Sequence, residues 1–143
     1  MTQSSAWLLY ALGSALCAGL TAILGKIGVV GINSNLATLI RTCVILIFTA
    51  TIVAVRGDWN FAGVASRRSS LFLVLSGLAT GGSWLCYYRA LQLAPASRVA
   101  PIDKLGVVIA IVLGVCVLGE PLSWKLVLGG ALIVAGTTLI ATL

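Results

Sequence analysis

The chain has 143 residues, 60% of them hydrophobic and 8% charged, with nine Lys or Arg against three Asp or Glu and a formal net charge of +6. Soluble domains run to about 45–50% apolar and about 25% charged, so these few charges cannot cover a surface that faces water. A mean hydropathy of +1.16 points to lipid as the solvent. The basic residues are scattered and lie mostly at the ends of apolar runs, which argues against nucleic acid as a partner and fits phosphate headgroups.

A helix rises 1.5 Å per residue and needs about 20 apolar residues to cross a bilayer. Five stretches meet this, and transmembrane helices are expected at 7–25, 36–55, 70–89, 99–119 and 123–142. The runs are continuous rather than alternating, which argues against a β-barrel. The expected fold class is an all-α integral membrane protein with five transmembrane helices. The first run, within MTQSSAWLLYALGSALCAGL, has no basic segment ahead of it and reads as a span rather than a cleaved signal.

The first link, KIGVVGINSN (26–35), reads as a turn. The second, RGDWNFAGVASRRS (56–69), is the longest and most polar, and Trp59 is expected at headgroup level. The third, 90–97, is short and holds Pro95. In the fourth, GEPLS (119–123), Glu120 precedes Pro121, which is expected in the first turn of the fifth helix, where a carboxylate favours the positive helix end. No link is long enough to be a soluble domain, so residues 1–143 are expected to form a single domain.

Small residues recur along the spans: Gly13, Cys17 and Gly19 in the first, Gly77, Gly81 and Gly82 in the third, Gly129, Gly130, Ala131, Ala135 and Gly136 in the fifth. They suit close helix packing. Cys17, Cys43, Cys86 and Cys116 fall in four different spans without metal-site spacing and read as small packing residues.

Alternate links face opposite sides of a membrane. Arg56, Arg67, Arg68 and Lys125 lie toward the side of the N-terminus; Lys26, Arg41, Arg89 and Arg98 lie toward the other, with Lys104 set apart inside a span. The balance gives no orientation bias. It fits a chain inserted both ways, and also a single unusual orientation.

The segment PIDKLGVV (101–108) places Asp103 and Lys104 about a turn into the fourth span, and Arg41 lies at similar depth in the second. An ion facing lipid costs about 2.5–3.5 kcal/mol by insertion scales. Two readings stay open. In one, Lys104 snorkels to the interface while Asp103 pairs with Arg98 or Arg41. In the other, a helix bent at Pro101 lines a cavity where Lys104 and Arg41 attract an anionic or polar solute. Trp84, Tyr87 and Tyr88 with Ser83 read either as a polar aromatic wall or as interface anchors. Histidine is absent, no nucleophile–His pair exists, and no phosphate-binding glycine loop is present. Neither an enzyme nor a bound cofactor or metal is expected. Asp103 and Glu120 are the acids near a span that suit proton carriage.

The stretches SALCAGLTAILGKIGVVGINSNLATLIRT (14–42) and GGSWLCYYRALQLAPASRVAPIDKLGVVIAIVLGVCVLGEPLSWKLVLGGALIVAGTTLI (81–140) resemble the EamA-type repeat of the drug/metabolite transporter superfamily. The resemblance covers nearly the whole chain apart from the second link. It implies half of a ten-helix inverted-repeat fold, with one five-span repeat where longer members carry two. It implies a transporter of small metabolites in a bacterial inner membrane, with Arg41, Trp84, Tyr88, Asp103 and Lys104 near a central cavity as substrate-binding residues. Glu120 matches the family's Gly-Glu turn, a structural position. With five spans, an antiparallel homodimer or an inverted partner restores the inverted arrangement. The charges favour an anionic or zwitterionic substrate. The alternative is a non-transporting membrane subunit that partners a larger transporter or enzyme.

Overall fold

The computed structural model describes residues 3–59 and 66–142; residues 60–65 of the second link lie outside them. Every regular element among the described residues is helical: α1 (Gln3–Gly28), α2 (Ser34–Arg56), α3 (Arg67–Leu93), α4 (Ala96–Asp103), α5 (Leu105–Leu118) and α6 (Trp124–Ala141). Five stretches are long and apolar enough to cross a membrane: Ala6–Gly28, Ser34–Arg56, Arg67–Leu93, Ala96–Leu118 and Trp124–Ala141. Large apolar side chains stay exposed on every span, among them Trp7, Leu16, Phe48, Leu73, Val112 and Leu132. Lipid is the solvent that such faces require.

Within the spans, threonine hydroxyls are satisfied by their own helix. Thr38, Thr42, Thr49, Thr51, Thr80, Thr137 and Thr138 each donate a hydroxyl hydrogen bond to the carbonyl four residues earlier, at 2.7–2.9 Å. A hydroxyl that bonds its own turn needs no water and costs little in hydrocarbon.

The fourth span differs from the expected continuous helix over 99–119. It starts earlier, at Ala96, and breaks at Lys104. Pro101 has no N–H to donate to the preceding turn. The ladder then runs through tighter bonds, Lys104 N–H to Pro101 O at 3.0 Å and Val107 N–H to Lys104 O at 2.9 Å. The break therefore falls on the one lysine inside the span.

Backbone contacts divide the chain into two compact units, Met1–Leu24 with Ala94–Leu143, and Gly25–Leu93. In the first, α6 packs against α4 and α5. Gly130 of α6 approaches Ile111 of α5: a Cβ at Gly130 would lie 3.8 Å from its Cδ1. Arg98 in α4 donates to the Ala141 carbonyl at 3.2 Å, placing a cation on the negative end of α6. The α5–α6 turn corrects the expectation for its residues. Helix α6 begins at Trp124, not at Pro121, and the Ser123 hydroxyl caps it by accepting from Leu126 N–H at 3.2 Å. Gly119, at φ 70°, turns the chain back at the end of α5. Glu120 then donates its N–H to Gly114 O at 3.1 Å and lays its carboxylate over Gly114. The role of Glu120 is to close α5 rather than to open α6.

The second unit holds the last turn of α1, with α2 and α3. Link one shortens to residues 29–33, turned by Gly31 at φ 77° and stopped by Asn33, whose side chain accepts from Asn35 N–H at 2.9 Å. Leu91 (0% exposed) and Val29 are the best-buried large side chains. Gly25 permits a close approach between α1 and α3. A Cβ there would lie 3.3 Å from the Tyr88 hydroxyl and 3.4 Å from Leu91 Cδ1. Around this contact, Lys26 Nζ donates to Leu91 O, and Gln92 Nε2 donates to Ile32 O at 2.7 Å.

Since Leu91 and Tyr88 are both buried against this point, Gly25→Leu is expected to destabilise the chain by about 1–3 kcal/mol through overpacking. Denaturant unfolding in detergent micelles measures this, and wild-type stability in that variant contradicts the packing.

Candidate functional site

Ser34, Ala37, Thr38 and Arg41 follow one another at helical spacing of three and four along α2. The first three are buried and Arg41 is half-buried. Arg41 lies seven residues from the start of α2, about 10 Å along its axis. On α3, Trp84 and Tyr88 are four residues apart and so share a face. The Arg41 guanidinium carbon sits 3.0 Å above the centre of the Trp84 ring and 5.6 Å from that of Tyr88. Tyr88, 5% exposed, is fixed by the Gly25 contact and by an edge-on packing with Tyr87 at 6.4 Å. Three of the five expected site residues, Arg41, Trp84 and Tyr88, thus lie in one cluster. Ser83, expected to join them, is exposed.

Stacking on indole is the contact for which guanidinium is better suited than ammonium, through cation–π attraction and planar overlap. It uses the face of the group and leaves the N–H edge free. Among the described residues no hydrogen bond or acid partner to Arg41 is formed. The stack holds the charge in place without neutralising it. A cation at that depth without a counter-ion is costly.

Asp103 and Lys104, in the other unit, take each other as partners. Lys104 Nζ lies 3.9 Å from Asp103 Oδ2, with the side chains 54% and 42% exposed respectively. Consecutive positions on an unbroken helix diverge by about 100°, so a meeting of this kind is not expected there. The pair lies where the helix breaks. Arg98, considered above as a partner for Asp103, is on the Ala141 carbonyl instead. An exposed pair of this sort contributes little stability and presents a dipole rather than a net positive charge.

A third polar cluster was not anticipated. Arg89 donates to the Gln92 side-chain oxygen at 3.0 Å, and Gln92 holds link one through Ile32 O. Arg89 also borders an open recess with Asn33, Ser34 and Asn35 at the start of α2. The available signal was Arg-x-x-Gln at the end of a span, opposite the Asn-Ser-Asn of the neighbouring link. The cysteines also depart from expectation: Cys17, Cys43, Cys86 and Cys116 are all exposed and do not serve as packing residues within the chain. Among the described residues, no three His, Cys, Asp or Glu side chains gather as a metal would need.

Residues 5–142 match the EamA-like transporter family. The chain is also 53% identical over 139 residues to a Sinorhizobium protein described as "Uncharacterized transporter in cobO 3'region". That alignment covers 97% of this chain and 99% of the relative. No solved structure matches the chain. The family match across nearly the full length, the transporter relative and the five apolar helices agree with one another. The chain belongs to the EamA-like transporter family and is a multi-pass membrane transporter.

Proposed function

We propose that residues 1–143 act as one five-span domain that pairs with a second, inverted copy and carries an anionic or zwitterionic small metabolite through the cavity between them. The observation that carries this is the Arg41 guanidinium, stacked on Trp84 with its donor edge unused. A carboxylate or phosphate group matches that edge by paired hydrogen bonds. Trp84 and Tyr88 give the site its apolar wall, and a solute with both a charged and an apolar part suits it. Asp103 orients Lys104, which flanks the path as a second, weaker attraction for the solute. The bacterial inner membrane is supported by the Sinorhizobium relative.

Three features support the inverted copy. The basic residues divide evenly between the two sides, so either orientation inserts equally well. Five spans, an odd number, send the two ends of each chain to opposite sides. Gly13 and Gly19 in α1, and Gly77, Gly81 and Gly82 in α3, have nothing within 4 Å of the space a Cβ would fill. These small-residue faces are unused within the chain and are suited to a second one. The subunit alternative has no observation of its own in its favour.

Purified chain in proteoliposomes tests the substrate class, by uptake of labelled glutamate, succinate and glucose 6-phosphate against the organic cation tetraphenylphosphonium. Transport among the anions and zwitterions is expected, reduced about tenfold or more by Arg41→Gln, in keeping with loss of a charge-assisted hydrogen bond. Arg41→Lys should fail to restore it, since ammonium lacks the planar fork. Uptake of the cation alone, or wild-type flux in Arg41→Gln, contradicts the reading. In the same assay Lys104→Gln is expected to fold normally and to lower flux less than Arg41→Gln does. Flux unchanged by Lys104→Gln removes that residue from the path.

A further inference from the structure

We infer that the recess between the start of α2 and the end of α3 is a second anion site, placed at the membrane boundary and separate from the Arg41 cluster. It is an open space of about 760 Å³ bordered by Asn33, Ser34, Asn35, Cys86 and Arg89. Its chemistry is that of a phosphate or carboxylate group, borne either by a lipid headgroup or by a soluble solute.

Four observations converge. The N-terminus of the 23-residue α2 opens onto the recess, and a helix start carries partial positive charge suited to anions. Arg89 adds a full positive charge. One of its five N–H donors is engaged, on Gln92 Oε1, and that bond fixes the side chain beside the recess. No acid lines the space: the chain has only Asp58, Asp103 and Glu120, and none borders it.

The fourth observation is independent of the helix end. Ser34 is 7% exposed, yet its hydroxyl forms no hydrogen bond among the described residues. Every fully enclosed side-chain polar atom described does have a partner. The Ser34 hydroxyl is therefore not fully enclosed, and Ser34 borders the recess. A hydroxyl that has no protein partner keeps its donor available to a bound oxyanion.

The position suits the membrane boundary. Helix α3 has 27 residues, about 40 Å at 1.5 Å each, against a hydrocarbon core of about 30 Å. Its end, with Arg89 and Gln92, falls at headgroup depth.

Thermal unfolding of the full chain gives the test, in detergent with added inorganic phosphate, and in nanodiscs of phosphatidylcholine with or without phosphatidylglycerol. Stabilisation by inorganic phosphate assigns a soluble anion; stabilisation by phosphatidylglycerol alone assigns a headgroup. In either case the apparent dissociation constant should rise about tenfold or more in Arg89→Gln, by loss of a charged hydrogen bond. A smaller rise is expected in Ser34→Ala, and none in Arg41→Gln. If Arg89→Gln unfolds without added anion, Arg89→Lys and Ser34→Ala carry the comparison, each with weakened binding. No stabilisation by either probe, or stabilisation undiminished in Ser34→Ala and the Arg89 variants, overturns the site. Because Arg41→Gln is read alongside, failure here is distinguishable from failure of the transport reading.

Discussion

Lipid leaves no water for an unpaired backbone group, and a segment that crosses it must satisfy its N–H and C=O groups from within. The rest of this structure follows from that constraint. The spans are helices, and their threonine hydroxyls bond back to their own turns. Among the departures from regular helix are link one at 29–33, the joint at Lys104 and the turn at 119–123. Polar side chains gather at each. Gln92 and Lys26 secure the first, Asp103 and Lys104 occupy the second, and Glu120 and Ser123 complete the third.

Arg41 is the exception, a cation on an unbroken helix. Aromatic faces hold it where a carboxylate would neutralise it. Three acids among 143 residues make such neutralisation scarce throughout this chain, and two of those acids already have roles. Asp103 faces Lys104, and Glu120 folds over Gly114. The proposed anionic solute would complete fixed positive charge that the protein leaves unneutralised. Arg41 on Trp84 has the form that proposal requires, and Arg89 has it in the second proposed site.

The spans were legible because a run of about 20 apolar residues has few alternatives in so apolar a chain. Arg41, Trp84 and Tyr88 were legible as separate oddities, costly or bulky groups in greasy surroundings. Their meeting was not, because it depends on how α2 packs against α3, and Arg41 and Trp84 are more than forty positions apart in sequence. Pro101 announced a disturbance in the fourth span but not its place, since the lost donor is expressed in the turn that follows. Ser123 carried the capping signal for α6, yet the nearby Glu-Pro pair offered a competing start. The Arg89–Gln92–link one cluster was missed because its groups are ordinary at a span end until link one folds against them.

The proposed pairing of inverted copies is the claim on which the central cavity depends. Its most direct test is the location of the N-terminus in intact cells. The four native cysteines would be replaced by alanine, and Thr2→Cys would supply a single thiol for a membrane-impermeant reagent, applied before and after permeabilisation. Comparable labelling from both sides is the result the inverted pair predicts, as the even division of basic residues does. Labelling from one side alone contradicts it, and leaves a parallel pair or a different protein of opposite orientation as the partner.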